Sequence, residues 1–264
     1  MKTIIPLILF FFFTSVQAQD KRKWEQLFNG KNLDGWIPKI RGQEPNQDKQ
    51  HTFIVEDGVM KVNYKNYDAF NETFGHIFYK KPYSHYLIAV EYRFVDKQVK
   101  GGPGWAYKNS GIMIHCQPPQ SMLKDQDFPI SIEVQLLGGD STGERSTCNV
   151  CTPGTEIEMG DSMVKPHCLN STSKTFRGEE WVRAEVLVLG DSVIKHIVNG
   201  DTVMTYYKPQ IGGGVVSNYD PAFKKDGQLL SGGYISLQSE SHPIEFRKVE
   251  IINLEKLYQR KQKH

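Results

Sequence analysis

The chain has 264 residues, with 32 basic and 30 acidic side chains and a formal charge of +2. That length suits one large all-β domain or two small ones, and it buries roughly 70–75% of the unfolded surface, so neither metal nor disulfide is needed merely to fold. The balanced charge leaves no electrostatic footprint for a polyanion, which argues against a nucleic-acid partner.

Lys2 supplies a positive start, Ile4 to Phe13 is an apolar run broken only by Pro6, and Val16-Gln17-Ala18 resembles a small-x-small cleavage site. The run is shorter than the about 20 apolar residues that span a bilayer. Residues 1–18 are therefore expected to be a signal peptide, and 19–264 a single domain of an exported protein, periplasmic or extracellular. No Cys follows Ala18, so no lipid anchor is expected, and no later stretch suits a membrane span.

Asn29-Gly30 and Asp34-Gly35 are turn signals, and Lys39 to Gln50 is polar with Gly and Pro. Phe53 to Val55 and Val59 to Tyr64 flank Asp57-Gly58, which predicts a hairpin. Leu87 to Val95 alternates, with Ile88, Val90, Tyr92 and Phe94 on one face and Ala89, Glu91 and Arg93 on the other. Gly111 to His115 sets Ile112 and Ile114 against Met113 and His115; Ser131 to Leu137 sets Ile132, Val134 and Leu136 against Glu133 and Gln135. Val182 to Leu189 and Val193 to Val198 form another pair, Gly233 to Ser239 opposes Ile235 and Leu237 to Ser236 and Gln238, and Ile244 to Ile252 closes the domain. Only Asp20 to Leu27 suggests a helix, and the charged tail from Glu255 to His264 is expected to fray. Many short alternating strands separated by turn residues predict an all-β, two-sheet sandwich.

The stretch from Gly138 to Thr175 is long and rich in Gly, Ser, Thr and Pro, as functional or disulfide-tied excursions are. Cys116, Cys148, Cys151 and Cys168 make an even count, which favours disulfides in an exported chain. Spacing does not choose among the three pairings. Cys151–Cys168 with Cys116–Cys148 is the expected set, since it pins the excursion to the sheet. Cys148-x-x-Cys151 lacks the second C-x-x-C of a zinc ribbon.

Glu91, Arg93, His115, Glu133, Gln135, Gln238 and Glu240 all fall where a half-buried strand turns its polar side. On neighbouring strands they would line a bowl of acids, amides and cations. Such groups make several hydrogen bonds to vicinal hydroxyls, which points to a carbohydrate. An ordinary wet sheet face alternates in the same way. Trp36, Trp105 and Tyr107 are candidates for a stacking platform or for core. The strand Glu133-Val134-Gln135-Leu136-Leu137-Gly138 lacks the second and third carboxylates of the E-x-D-x-x-E strand of laminarinase-type glycosidases.

The segments LFNGKNLDGW (27–36), NSGIMIH (109–115), IEVQLLGGD (132–140), CTPGTEI (151–157), STSKTF (171–176) and GGYISLQSESHPIEFRKVEI (232–251) resemble the 3-keto-disaccharide hydrolase family over nearly all of the chain beyond residue 18. The resemblance implies a concanavalin-like jelly roll and cleavage of glycosides oxidised to a ketone at C3 of the sugar. A C3 ketone acidifies the C2 proton, so one base removes it, the C1 substituent leaves, and water adds back to the enone. On that resemblance Glu133 or His115 is the base, Arg93 or a bound cation stabilises the enolate, and Glu91, Gln135, Gln238, Glu240, His242 and Trp105 hold the sugar. His115, Glu133, Glu240 and His242 are candidate ligands for a divalent cation, although none shows a local metal motif. His167 on the excursion reaches toward the site or is plain loop, and Arg247 is a ligand contact or a structural ion pair. Two other readings stay open: a carbohydrate-binding module without turnover, and an ordinary glycoside hydrolase using Glu133 and Glu240 from different strands.

Overall fold

The computed structural model describes residues 23–261, so the expected signal peptide at 1–18 lies outside the described residues. The first strands are β1 (Glu25–Gln26), β2 (Trp36–Ile40), β3 (Phe53–Glu56), β4 (Val59–Val62), β5 (Gly75–Tyr79) and β6 (His85–Phe94). Next come β7 (Asn109–Cys116), β8 (Ile132–Leu137), β9 (Asn149–Cys151), β10 (Thr155–Met159), β11 (Ser162–Met163) and β12 (Cys168–Leu169). The chain closes with β13 (Val182–Leu189), β14 (Val193–Val198), β15 (Asp201–Ile211), β16 (Tyr234–Ser239), β17 (Ile244–Asn253) and the helix α1 (Glu255–Lys261). Among the described residues, no helix is long and apolar enough to cross a membrane.

The strands form a two-sheet jelly-roll sandwich. One sheet runs β11-β10-β15-β14-β13-β6-β17-β4-β3, with β1 added on β17; the other, of seven strands, runs β12-β9-β8-β7-β16-β5-β2. Turn chemistry sets the hairpins. Asp57-Gly58 between β3 and β4, and Asn199-Gly200 between β14 and β15, both take the positive φ that a tight two-residue turn demands. Alternation then chooses the faces. Val182, Ala184, Val186 and Val188 of β13 point inward with Ile88, Val90 and Tyr92 of β6. Across the seven-stranded sheet, Ile77, Leu237, Ile112, Val134 and Val150 stand opposite one another strand by strand and pack into the same core. Burying each such side chain contributes about 1.5–3 kcal/mol.

Several expectations change. Glu25 and Gln26 pair with Ile251 and Glu250, so the end of the segment read as helical is strand. The tail expected to fray is helical over Glu255–Lys261, where the Asn253 side chain accepts from the Glu255 N–H at 2.9 Å. The excursion from Gly138 to Thr175 supplies edge strands to both sheets: β9 and β12 to one, β10 and β11 to the other. Cys151 and Cys168, opposite each other on β9 and β12, form the expected disulfide. The second pairing is wrong, because Cys116 and Cys148 are free and lie in separate clusters. Cys148 belongs to the main core, while Cys116 packs with Phe78, Met113 and Met122.

Thiol chemistry checks this directly. The unreduced protein should show no reactive thiol when native, since Cys116 and Cys148 are both buried, and two per chain after denaturation without reductant. Replacing Cys151 and Cys168 together by Ser removes a bridge of sequence separation 17 and should lower unfolding stability by about 3 kcal/mol in denaturant titration.

Candidate active site on the seven-stranded sheet

The core row fixes what the other face of the same sheet presents. Alternation places Lys39, His76 and Gln238 in one line across β2, β5 and β16, and Gly111, Gln135 and Asn149 in line across β7, β8 and β9. The next line reads Ile37, Phe78, Ser236, Met113, Glu133, Cys151 and Cys168. Over β8 and β9 this face opens into a cavity of about 330 Å³, within the range of small-molecule sites. Glu133, Gln135, Asn109 and Glu240 line it, with Trp105, Phe128, Val215, His167 and the disulfide as walls.

Glu133 is buried, and its Oε1 has no hydrogen-bond partner among the described residues. Burial pushes its carboxyl up to about 8. Glu240, just past β16, is also buried. Its carboxyl is raised well above the ordinary range by burial and then by the charge of Glu133, with Arg145 pulling the other way. Gln238 Nε2 donates to Glu240 Oε1 at 3.0 Å, while Glu240 Oε2 and Gln238 Oε1 are unpartnered. Gly111 sits between Glu133 and Gln238. A Cβ there would lie 2.8 Å from Glu133 Cγ, 3.0 Å from its Oε1 and 3.1 Å from Gln238 Oε1, so the absent side chain is what lets these groups converge. Two protonatable carboxyls held close and without a cation partner are arranged to give and take protons.

The rim is tied by an arginine that the sequence did not single out. Arg145 donates to the carbonyls of Trp105 at 3.1 Å, Lys108 at 3.2 Å, Gly138 at 2.8 Å and also Tyr107. This holds the short helical turn Gly104–Ala106, which presents Trp105 at 56% exposure. The Trp105 ring stacks on Phe74 at 6.1 Å, and Phe74 meets Phe128 at 4.9 Å. An exposed indole backed by two aromatics is suited to cover the apolar face of a sugar ring.

The other expected residues divide. Gln135 lines the cavity and accepts from Asn149 Nδ2 at 3.1 Å, and His167 lines it with an unpartnered Nδ1. Gln238 lies beneath the cavity as the support of Glu240. His242 does not line it; the ring stands edge-on to Tyr107 at 5.1 Å and Phe94 at 5.7 Å, with both nitrogens unpartnered. Glu91 and Arg93 are not part of this site. Both lie on β6 in the other sheet, where Arg93 pairs with Glu245 at 2.7 Å and Glu91 accepts from Arg247 at 2.6 Å and Arg183 at 3.2 Å. Arg247 is therefore the structural ion-pair residue, and with Arg93 it covers the Trp181 ring. His115 is also displaced. A bulge at positive φ breaks the alternation and turns its ring to Gly190 O at 3.1 Å, beside a different cavity. Trp36 is core, its Nε1 donating to Leu27 O at 3.1 Å.

The four candidate cation ligands are consequently not gathered. Among the described residues, the only group of three or more such side chains within 4.8 Å is Cys151, His167 and Cys168, and two of these form the disulfide. The residues do not fit a divalent-cation site. Asn109 and His76 are polar residues of this face that sequence reasoning missed. Both are buried with unpartnered polar atoms, and burial, with Lys39 next, pushes His76 down to about 3.

The raised Glu133 carboxyl has a stability consequence. Its folded value lies above its ordinary 4.5, so the native state favours the protonated form and loses stability as pH rises toward about 8. Glu133→Gln should leave stability little changed at pH 4 and raise it at pH 9 by at least about 1 kcal/mol, or roughly 2–4 °C in melting temperature. Thermal melts of both proteins across that range check the sign.

Comparison with known proteins agrees with this architecture. Two crystal structures of Parabacteroides distasonis ATCC 8503 proteins, whose assignment as glycosyl hydrolases is provisional, superpose at TM-scores of 0.53 and 0.52 with 19% identity in each case. They cover 88% of this chain, and 100% and 94% of their own lengths. At that identity they bear on the fold alone. No curated protein sequence matches. The model of the family described as the 3-keto-alpha-glucoside-1,2-lyase-like domain matches residues 23–252, nearly the whole described chain, and the protein belongs to that family.

Proposed function

We propose that the protein is an exported enzyme that cleaves glycosides already oxidised to a ketone at C3 of the sugar. The observation that carries this reading is the Glu133–Glu240 pair: two buried carboxyls without a cation at contact, lining one sugar-sized cavity, with the charge of Glu133 felt by Glu240. Family membership supports the substrate class, and the Cys151–Cys168 disulfide suits an oxidising compartment.

In this mechanism the ionised Glu133 takes the C2 proton, which the neighbouring ketone has acidified. The C2 electron pair delocalises onto the C3 oxygen as an enolate, then expels the C1 substituent as the C1–O bond breaks. Protonated Glu240, kept neutral by its surroundings, gives its proton to the departing oxygen. The products are an alcohol and a C1=C2 enone. Water then adds at C1 and a proton returns to C2, giving the free 3-keto sugar. With Arg93 on the other sheet, Asn109 Nδ2 and His167 are the donors available to the enolate oxygen. Gln135 binds a ring hydroxyl and Trp105 covers the ring.

The same pair supports one other reading. Two carboxyls from different strands are also the equipment of an ordinary glycoside hydrolase. That chemistry needs one carboxylate ionised at working pH and no ketone in the substrate.

Incubation with a 3-keto-disaccharide and its unoxidised parent separates the two, with released sugar and enone absorbance followed. Turnover of the keto form alone is expected, and equal turnover of the parent would overturn the elimination reading. Glu133→Gln should lower kcat by about 10²–10⁴-fold, the usual worth of a general base. In the wild type, kcat/KM should rise with pH as Glu133 loses its proton near 8, then fall as Glu240 loses its own. Gly111→Ala, which forces Glu133 and Gln238 apart, should lower kcat more than it raises KM.

A further inference from the structure

The turn that carries Trp105 has little of its own to hold it. Gly104–Ala106 is a single helical turn with no side-chain hydrogen bond at its N-cap. Two backbone bonds close it, Ala106 N to Pro103 O at 2.9 Å and Tyr107 N to Gly104 O at 3.2 Å. The start of the turn is tied by Gln98, whose Nε2 donates to Pro103 O and to Ser241 Oγ, each at 2.9 Å. The carbonyls at the end of so short a helix find no acceptor's partner within it. Arg145 supplies the donors. Its Nη2 serves Trp105 O, while Nη1 serves the carbonyls of Tyr107 and Lys108 and that of Gly138 just past β8. A planar guanidinium presents such donors in a fixed fork, which a lysine ammonium at a single point does not.

The arm that carries Arg145 is itself pinned. The Arg145 backbone N–H donates to Thr175 Oγ1 at 2.6 Å, and Gly139 N donates to Phe176 O at 2.8 Å. Arg177 donates to Asp140 O at 3.0 Å and to Gly143 O at 2.5 Å. One side chain therefore joins the turn before β7 to the excursion after β8. Arg145 is not among the residues that line the first cavity, where Glu133, Glu240 and Trp105 are. Whatever it contributes to binding there passes through the turn it holds.

We propose that Arg145 is a positioning residue of this site, whose fork of donors fixes the Trp105 turn so that the indole is in place before a sugar arrives. The inference rests on the reading of that cavity as a sugar site. It separates affinity from chemistry: Arg145 governs the platform, and the carboxyl pair governs the reaction.

Hydrogen exchange and kinetics of the mature protein and its Arg145→Lys, Trp105→Ala and doubly substituted variants test it. Arg145→Lys keeps the charge and loses the fork. Its Ala106 and Tyr107 amides should exchange at least about tenfold faster than in the wild type, the worth of one charge-assisted hydrogen bond, with the β8 amides unchanged. With a 3-keto-disaccharide, its KM should rise about 3–10-fold while kcat stays within about twofold, as loss of binding shared by ground and transition states requires. In the Trp105→Ala background, Arg145→Lys should add nothing further to KM, because the two residues act as one unit. Unchanged exchange at Ala106 and Tyr107 would overturn the proposal, and so would KM effects that simply add. Loss of protection in β8 as well would also overturn it, since Arg145 would then hold the sheet and not the turn. The exchange measurement needs no substrate. A wild type that turns over no 3-keto sugar would sink the proposed reaction, while the exchange at Ala106 and Tyr107 would still decide the role of Arg145.

Discussion

The row Ile77, Leu237, Ile112, Val134 and Val150 is the constraint on which the rest depends. It buries one face of the seven-stranded sheet against the other sheet. Because side chains alternate strictly, fixing that row also fixes Glu133, Gln135 and Gln238 on the opposite face. A slip of one residue in β8 would send Glu133 into the apolar core and Val134 into the cavity. The free energy that holds the fold is thus the same free energy that positions the polar groups, and no separate scaffold is needed.

The two sheets treat their acids in opposite ways. On the outer face of the longer sheet, burial pushes the Glu91 carboxyl up, but Arg247 and Lys248 outweigh this and hold it below the ordinary range. Glu245 has Arg93 and Lys61, and Glu250 has Arg183. Every one of these acids is matched, as in a surface built for stability and solubility. Glu133 and Glu240 are left without a matching cation at contact, although burial there makes a carboxylate expensive. Arg145 lies near enough to act on Glu240 but spends its N–H groups on backbone carbonyls. That contrast within one molecule sets the pair apart from the other buried acids more strongly than its position alone.

How much of this was legible in the sequence depended on alternation. The faces of β8 could be read residue for residue, since apolar and polar positions take turns there, and the bounds of β13 and β14 were legible as well. β5 could not be, because all five of its residues are buried and nothing alternates. His76 was missed along with it. Alternation also says which side a residue faces but not which sheet it belongs to, so Glu91 and Arg93 looked like companions of Glu133. His115 failed for another reason: a bulge is a departure from the period on which the reading relied. Arg145 lies in an irregular stretch, where no period exists to mark it.

The disulfide has a consequence for the order in which the molecule is finished. Cys151 and Cys168 join β9 to β12 at the edge of the seven-stranded sheet, and they wall the first cavity rather than the apolar core. The inner face of the sandwich needs no oxidant to assemble. The covalent tie across the wall beside Glu133 does. A chain folded in a reducing medium would have its sheets in place and its carboxyl pair formed while one side of the cavity stayed untied. Assembly of the sheets and the tying of that wall are separate events here, and the second waits on the surroundings of the chain.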